Sequence, residues 1–110
     1  MELNYKSMPS ILRLSLNCSV DFDHQIVRRS GIPYKLTDIE FRILNLLIER
    51  INEPVTTQEI INEIWSHNAT GNKENLKVQI RKVRLKIETD PAYPKYLLSI
   101  HGIGYMMKSF

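Results

Sequence analysis

Lys73-Glu-Asn-Leu-Lys-Val-Gln-Ile-Arg-Lys-Val-Arg-Leu-Lys-Ile87 is the stretch that decides the fold. At about 100° per residue, Leu76, Ile80, Val83 and Ile87 fall within one narrow arc. The spacing predicts a helix from about Lys73 to Ile87 with that arc toward a core. Lys77, Arg81 and Arg84 lie on one flank, and Gln79, Lys82 and Lys86 on the other. Opposite the core sit Val78 and Leu85, where a merely solvated helix would carry charge. An apolar residue ringed by cations and an amide suits a surface that meets thymine methyls and phosphates. Six basic residues and one acid, Glu74, give the window from Lys73 to Lys86 a charge of +5; the whole chain is +3, so the remainder is −2. A basic stripe on a near-neutral body fits a nucleic-acid footprint, and it also fits a solvated helix face; charge alone leaves both open.

Upstream, the same punctuation occurs twice. Thr56-Thr57-Gln58-Glu59 reads as a capping box, with Val55 and Ile60 as its staple. Ile60, Ile61, Ile64 and Trp65 then form the apolar stripe of a short helix ending near Trp65. Thr37-Asp38-Ile39-Glu40 is an earlier capping box, flanked by Leu36 and Phe41. Leu44, Leu47, Ile48 and Ile51 predict a helix from Asp38 to about Ile51, ended by Asn52-Glu53-Pro54. Residues 66–72 are polar and predict a loop.

Before Thr37 the period is 2. The run from Ile11 to Leu16 alternates after Leu12, and Val20 and Phe22 continue the alternation. Asp23-His24 and Ser30-Gly31 read as turns around a short strand, Gln25 to Arg29, and Ile32 to Leu36 completes an antiparallel sheet. Residues 1–9 carry little signal and are expected to be disordered, leaving one domain over 10–110. Downstream of the basic helix, Asp90 to Pro94 is a proline-rich loop. Tyr96 to His101 reads as a strand, Gly102-Ile103-Gly104 as its turn, and Tyr105 to Phe110 as the return. The class is therefore α+β.

A chain of 110 residues holds one modest core. Its 43% hydrophobic and 25% charged residues are those of a soluble globular protein. The single cysteine, Cys18, excludes an internal disulfide and suits a reducing cytosol. No secretion signal or membrane-spanning run is present in these residues, so a cytoplasmic location is expected. A membrane segment beyond Phe110 would make the chain a cytoplasmic head instead. Catalysis finds no support. His24, His67 and His101 lack metal-ligand spacing, Cys18 is expected to pack rather than react, and Gly102-x-Gly104 lacks the rest of a nucleotide fingerprint. No enzyme activity, metal, cofactor or small-molecule substrate is expected.

The order of sheet, helix, helix, loop, basic helix and hairpin resembles the C-terminal effector domain of the OmpR/PhoB response regulators, shared with the ToxR/CadC activators. Leu36-Thr37-x-x-Glu40-x-x-x-Leu44 is similar to the opening of the family's first helix. Pro54 to Ile60, ending in Ile64-Trp65, is similar to its second, and Leu76 to Ile87 to its recognition helix. Ser99-Ile100-His101-Gly102-Ile103-Gly104-Tyr105 is similar to its wing. The resemblance spans about Leu12 to Met107 and implies a bacterial winged helix-turn-helix: an N-terminal antiparallel sheet, three helices and a C-terminal β-hairpin wing.

It further implies a sequence-specific regulator of transcription that binds double-stranded DNA, with helix 73–87 in the major groove and wing 99–107 at the minor groove. Lys77, Val78, Gln79 and Arg81 are the candidates for base edges. Lys73, Lys82, Arg84 and Lys86 are candidates for phosphates. Trp65 either donates its indole N–H to a phosphate or packs in the core. The amides near Thr57 either bind a phosphate or are explained by capping alone. The wing set is His101, Gly102, Ile103, Gly104 and Tyr105. Loop 66–72 corresponds to a family segment that can touch RNA polymerase, beside the reading of an ordinary connection; a homodimer on DNA is the other implied partner. Two departures trim the electrostatics: His101 replaces a wing arginine, and Leu85 stands where the family has a basic residue. No receiver precedes the sheet, so a chain complete at this length is expected to escape control by a phosphorylated receiver. The alternative is a winged helix repurposed as a protein-interaction module or antagonist that does not bind DNA.

Overall fold

The computed structural model describes residues 10–66 and 71–109. The expectation for residues 1–9, most of loop 66–72 including His67, and Phe110 lie outside the described residues. Four strands, β1 (Ile11–Ser15), β2 (Cys18–Asp21), β3 (Ile26–Arg29) and β4 (Ile32–Lys35), form an antiparallel meander in the order β1-β2-β3-β4. Helix α1 (Asp38–Glu49) follows, then β5 (Val55–Thr56), α2 (Thr57–Ile64) and α3 (Lys73–Ile87). The hairpin β6 (Leu97–Ile100) and β7 (Gly104–Met107) closes the chain, and β5 adds to it in the order β5-β7-β6.

The run from Ile11 to Phe22 is two strands rather than one alternating stretch. Leu16-Asn17 is a two-residue turn that pairs Ser15 with Cys18. That turn alone would shift the alternation by one residue, but a bulge between Arg13 and Ser15 shifts it back, so Leu14 and Val20 both point inward although the chain has reversed between them. Leu16, in phase but on the turn, is 88% exposed. The next hairpin is legible. Ser30 and Gly31 both have positive φ, 53° and 81°, as a type I′ turn between Arg29 and Ile32 requires.

Both capping boxes form. Thr37 Oγ1 accepts the Glu40 amide at 3.2 Å while the Thr37 amide donates to Glu40 Oε1 at 2.9 Å. Thr56 and Glu59 repeat the exchange at 3.1 and 3.4 Å. Thr37→Ala and Thr56→Ala are each expected to cost about 0.5–2 kcal/mol in thermal unfolding; unchanged melting in both would show the caps idle. α1 stops at Glu49, short of Ile51, because the Arg50 and Ile51 amides turn back to Leu47 and Ile48 and Asn52 takes a φ of 66°. α3 has the bounds its periodicity predicts, with the Asn72 side chain capping the Asn75 amide at 2.8 Å.

The core lies where the helices meet the two sheets. Leu14, Val20 and Val27 enter from the meander, Ile43, Leu44 and Leu47 from α1, Ile60 and Ile64 from α2, and Leu97 and Met107 from the hairpin. All four apolar residues of the α3 arc are buried among them. Cys18 is also buried, and burial together with the Glu88 charge pushes its thiol up to about 11 against the pull of Arg29. It stays protonated at neutral pH and packs.

Candidate nucleic-acid interface

The fold presents the outer side of α3 and the tip of the hairpin to solvent. Lys73, Lys77, Arg81 and Lys82 are exposed, with Val78 at 43% and Leu85 at 55% between them; Gln79 is half-buried. Lys77 lies 3.8 Å from Glu74, an exposed pair of small energetic weight. Among the described residues no carboxylate pairs with Arg81 or Lys82.

Arg84 and Lys86, read from the sequence as phosphate candidates, are occupied by the protein. The Arg84 guanidinium is half-buried and donates to the Leu97 carbonyl and to Ser99 Oγ, each at 3.0 Å. Burial draws its pKa below the usual arginine range, with Tyr105 and Glu88 opposing; arginine stays charged regardless. Lys86 Nζ donates to Glu40 Oε1 at 2.5 Å and to the Lys35 carbonyl at 2.7 Å. Glu40 is 2% exposed, yet its pKa is lowered: burial raises it, but hydrogen bonds from Lys86 and the Thr37 amide, with the charges of Lys86 and Lys82, outweigh that. These two cations join α3 to the rest of the fold.

Sequence reasoning missed Glu88 altogether. Its carboxylate is buried at the C-cap of α3 and accepts the amides of Lys95, Tyr96 and Leu97 at 2.7, 3.0 and 2.8 Å. One signal was present: an acid at a helix C-terminus opposes the helix dipole and needs donors from elsewhere.

At the hairpin tip, His101, Gly102 and Ile103 form an exposed turn, and Gly102 has φ 74°. Gly104 belongs to β7 rather than to the turn, and is buried. Tyr105 is half-buried. The Thr57 amide, a phosphate candidate, donates instead to the Ile103 carbonyl at 3.1 Å, tying the wing to the start of α2. Thr57, Lys73 and residues 99–105 line one open cleft of about 410 Å³. Lys77, Arg81, Arg84, Ser99 and Tyr105 line a second of about 320 Å³ between α3 and the wing. Two of the base-edge candidates, Lys77 and Arg81, thus share a cleft with the wing. Trp65 is half-buried, packed against the core, and the Gly71 backbone lies so close that an added Cβ would sit 2.4 Å from Trp65 Cβ. Among the described residues, no group of three metal-ligating side chains gathers, and no helix is long and apolar enough to cross a membrane.

Residues 31–107 match the family model described as "Transcriptional regulatory protein, C terminal". The chain belongs to this family. It is 32% identical over 87 residues to the KDP operon transcriptional regulatory protein KdpE of Escherichia coli, covering 79% of this chain and 39% of KdpE. The response regulator DrrB of Thermotoga maritima, an OmpR/PhoB homologue, is similar in structure with a TM-score of 0.81 and 25% identity, over 96% of this chain and 47% of DrrB. The chain thus spans under half the length of either. The DNA-binding domain of RstA from Klebsiella pneumoniae, solved in complex with the RstA box, shares the fold with a TM-score of 0.75 at 15% identity, over 91% of this chain and 98% of that domain. The family match begins at residue 31, whereas the likeness to DrrB takes in the N-terminal meander as well.

Proposed function

We propose that this chain is the sequence-specific DNA-binding domain of a transcriptional regulator, with α3 in the major groove and the β6–β7 wing at the adjacent minor groove. The observation that carries the reading is the outer face of α3, where apolar Val78 is exposed beside Arg81 and Lys82, with which no carboxylate pairs among the described residues. The RstA domain, similar in fold, is a DNA-binding domain seen on DNA. Lys77, Val78, Gln79 and Arg81 read base edges, as arginine and glutamine can bond guanine and adenine in bidentate fashion. Lys73 and Lys82 hold phosphates, with the amides at the start of α2, near Thr57, and the Trp65 indole at the margin. Arg84 and Lys86 stay with their intramolecular partners. His101 gives the wing a weaker contact than an arginine would. No catalysis is assigned, and the regulator works in the cytoplasm as a pair of copies on adjacent half-sites. Contact with RNA polymerase is assigned to loop 66–72, of which 67–70 lie outside the described residues.

The exposed Leu85 and the replaced wing arginine favour a second reading, a protein-interaction module. A band shift at low salt separates the two. DNA binding predicts that log K falls by about 0.9 per phosphate neutralised for each unit of log salt, and that Lys82→Ala removes one such step for all sequences alike. Arg81→Ala is expected to relax preference at one base pair by about 1–3 kcal/mol in selection from a random pool. No shift at low salt would leave the interaction module.

A further inference from the structure

We propose that Arg84 and Glu88 are positioning residues that lock the wing to α3, so that both elements meet the duplex in one fixed register. The proposal rests on the DNA-binding reading above.

The two side chains stand one helical turn apart and seize the same residue from both sides. Leu97 donates its amide to Glu88 Oε2 at 2.8 Å and offers its carbonyl to Arg84 Nε at 3.0 Å. Glu88 also takes the two preceding amides, which fixes the entry of β6, while Arg84 reaches on to Ser99 Oγ inside the strand. Leu97 itself is fully buried, so the clamp has no slack at its centre. The wing tip is held independently, through the Thr57 amide on the Ile103 carbonyl and the pairing of Thr56 with Gly104. α3 therefore holds the base of the wing and α2 holds its tip. A guanidinium suits this role because its rigid fork serves a carbonyl and a hydroxyl at once; an ammonium is a point charge that does not. Contact geometry at a binding site depends on such supporting hydrogen bonds.

Arg84→Gln, Arg84→Lys and Ser99→Ala test the clamp in two measurements. In the free protein, Arg84→Gln is expected to speed amide hydrogen exchange in β6 and β7 about tenfold, the scale of one charged hydrogen bond, while α1 amides keep their protection. Ser99→Ala, which removes one acceptor only, gives a smaller change in the same amides. On DNA, the hydroxyl-radical footprint of the wing fades in Arg84→Gln with base preference unchanged, and Arg84→Lys fails to restore it. A direct phosphate contact predicts the reverse: unchanged exchange, one phosphate losing protection beside α3, and recovery with lysine. Either half of that reverse pattern overturns the clamp. If the unaltered protein binds no DNA, the DNA reading falls, and exchange in β6 and β7 still decides whether Arg84 holds the wing.

Discussion

Gly104→Ala is expected to lower stability by about 3 kcal/mol, the upper end of what overpacking a close contact costs. A Cβ on Gly104 would sit 2.1 Å from the Val55 carbonyl oxygen, 2.7 Å from the Thr57 nitrogen and 2.9 Å from the Thr56 carbonyl carbon. All three are backbone atoms, so no side-chain rotation relieves the clash. β5 must move off β7, which breaks the Thr56–Gly104 pairing and the Thr57–Ile103 hydrogen bond together. For a domain of this size the loss corresponds to a fall of roughly 10–20 °C in Tm. Gly102→Ala is the control. Its φ is 74° but nothing lies within 4 Å of the added carbon, so only left-handed strain of about 1–2 kcal/mol applies. Equal melting of the two variants would show that Gly104 is a turn residue like Gly102, and that the β5–β7 contact does not matter.

That contrast shows where the sequence is readable. Gly-x-Gly between two strands reads as a turn, and one of its glycines is; the other answers to a strand nearly fifty residues upstream, which no local pattern reports. Val55-Thr56 likewise reads as a cap and staple, and is that, while also being a strand. Local devices were legible: both threonine boxes, the four-residue core arc of α3 and the Ser30-Gly31 turn depend on neighbours within a few positions. Leu16-Asn17 was hidden because the bulge between Arg13 and Ser15 cancels the one-residue shift of a two-residue turn and leaves the alternation intact. On α3, periodicity placed Lys77, Val78, Arg81 and Lys82 outward, as they are found. It failed for Arg84 and Lys86, which sit beside Val83 and Ile87 at the rim of the buried arc. Both are half-buried, and their charged heads reach Leu97, Ser99, Lys35 and Glu40. Residue type and angle give the flank; only the fold gives the partner.

Lys86→Ala carries the other large effect, about 3 kcal/mol at pH 7, because it leaves the Glu40 carboxylate buried without its cation. Side-chain exposure of 25% for Lys86 against 3% for Glu40 puts the expected loss at the low end for a buried pair. The pH dependence identifies the cause. In the unaltered protein the Glu40 pKa lies below its ordinary 4.5, so this carboxylate contributes stability above pH 4.5 that is lost as pH falls through the folded value. Without Lys86, burial is the largest influence left, opposed only by the Thr37 amide and the Lys82 charge, and the Glu40 pKa rises from its folded value. Protonation then relieves the variant, and its deficit shrinks as pH is lowered toward 4.5. Glu40→Gln combined with Lys86→Met removes both charges and is expected to recover much of the loss, since the cost belongs to the orphaned charge. Denaturant unfolding across pH 4–8 measures all three variants. A Lys86 engaged with phosphate would give the opposite result: stability at pH 7 within about 0.5 kcal/mol of the parent, no narrowing on acidification, and a DNA salt slope shallower by about 0.9. That result would return Lys86 to the DNA face and leave Glu40 to its capping box.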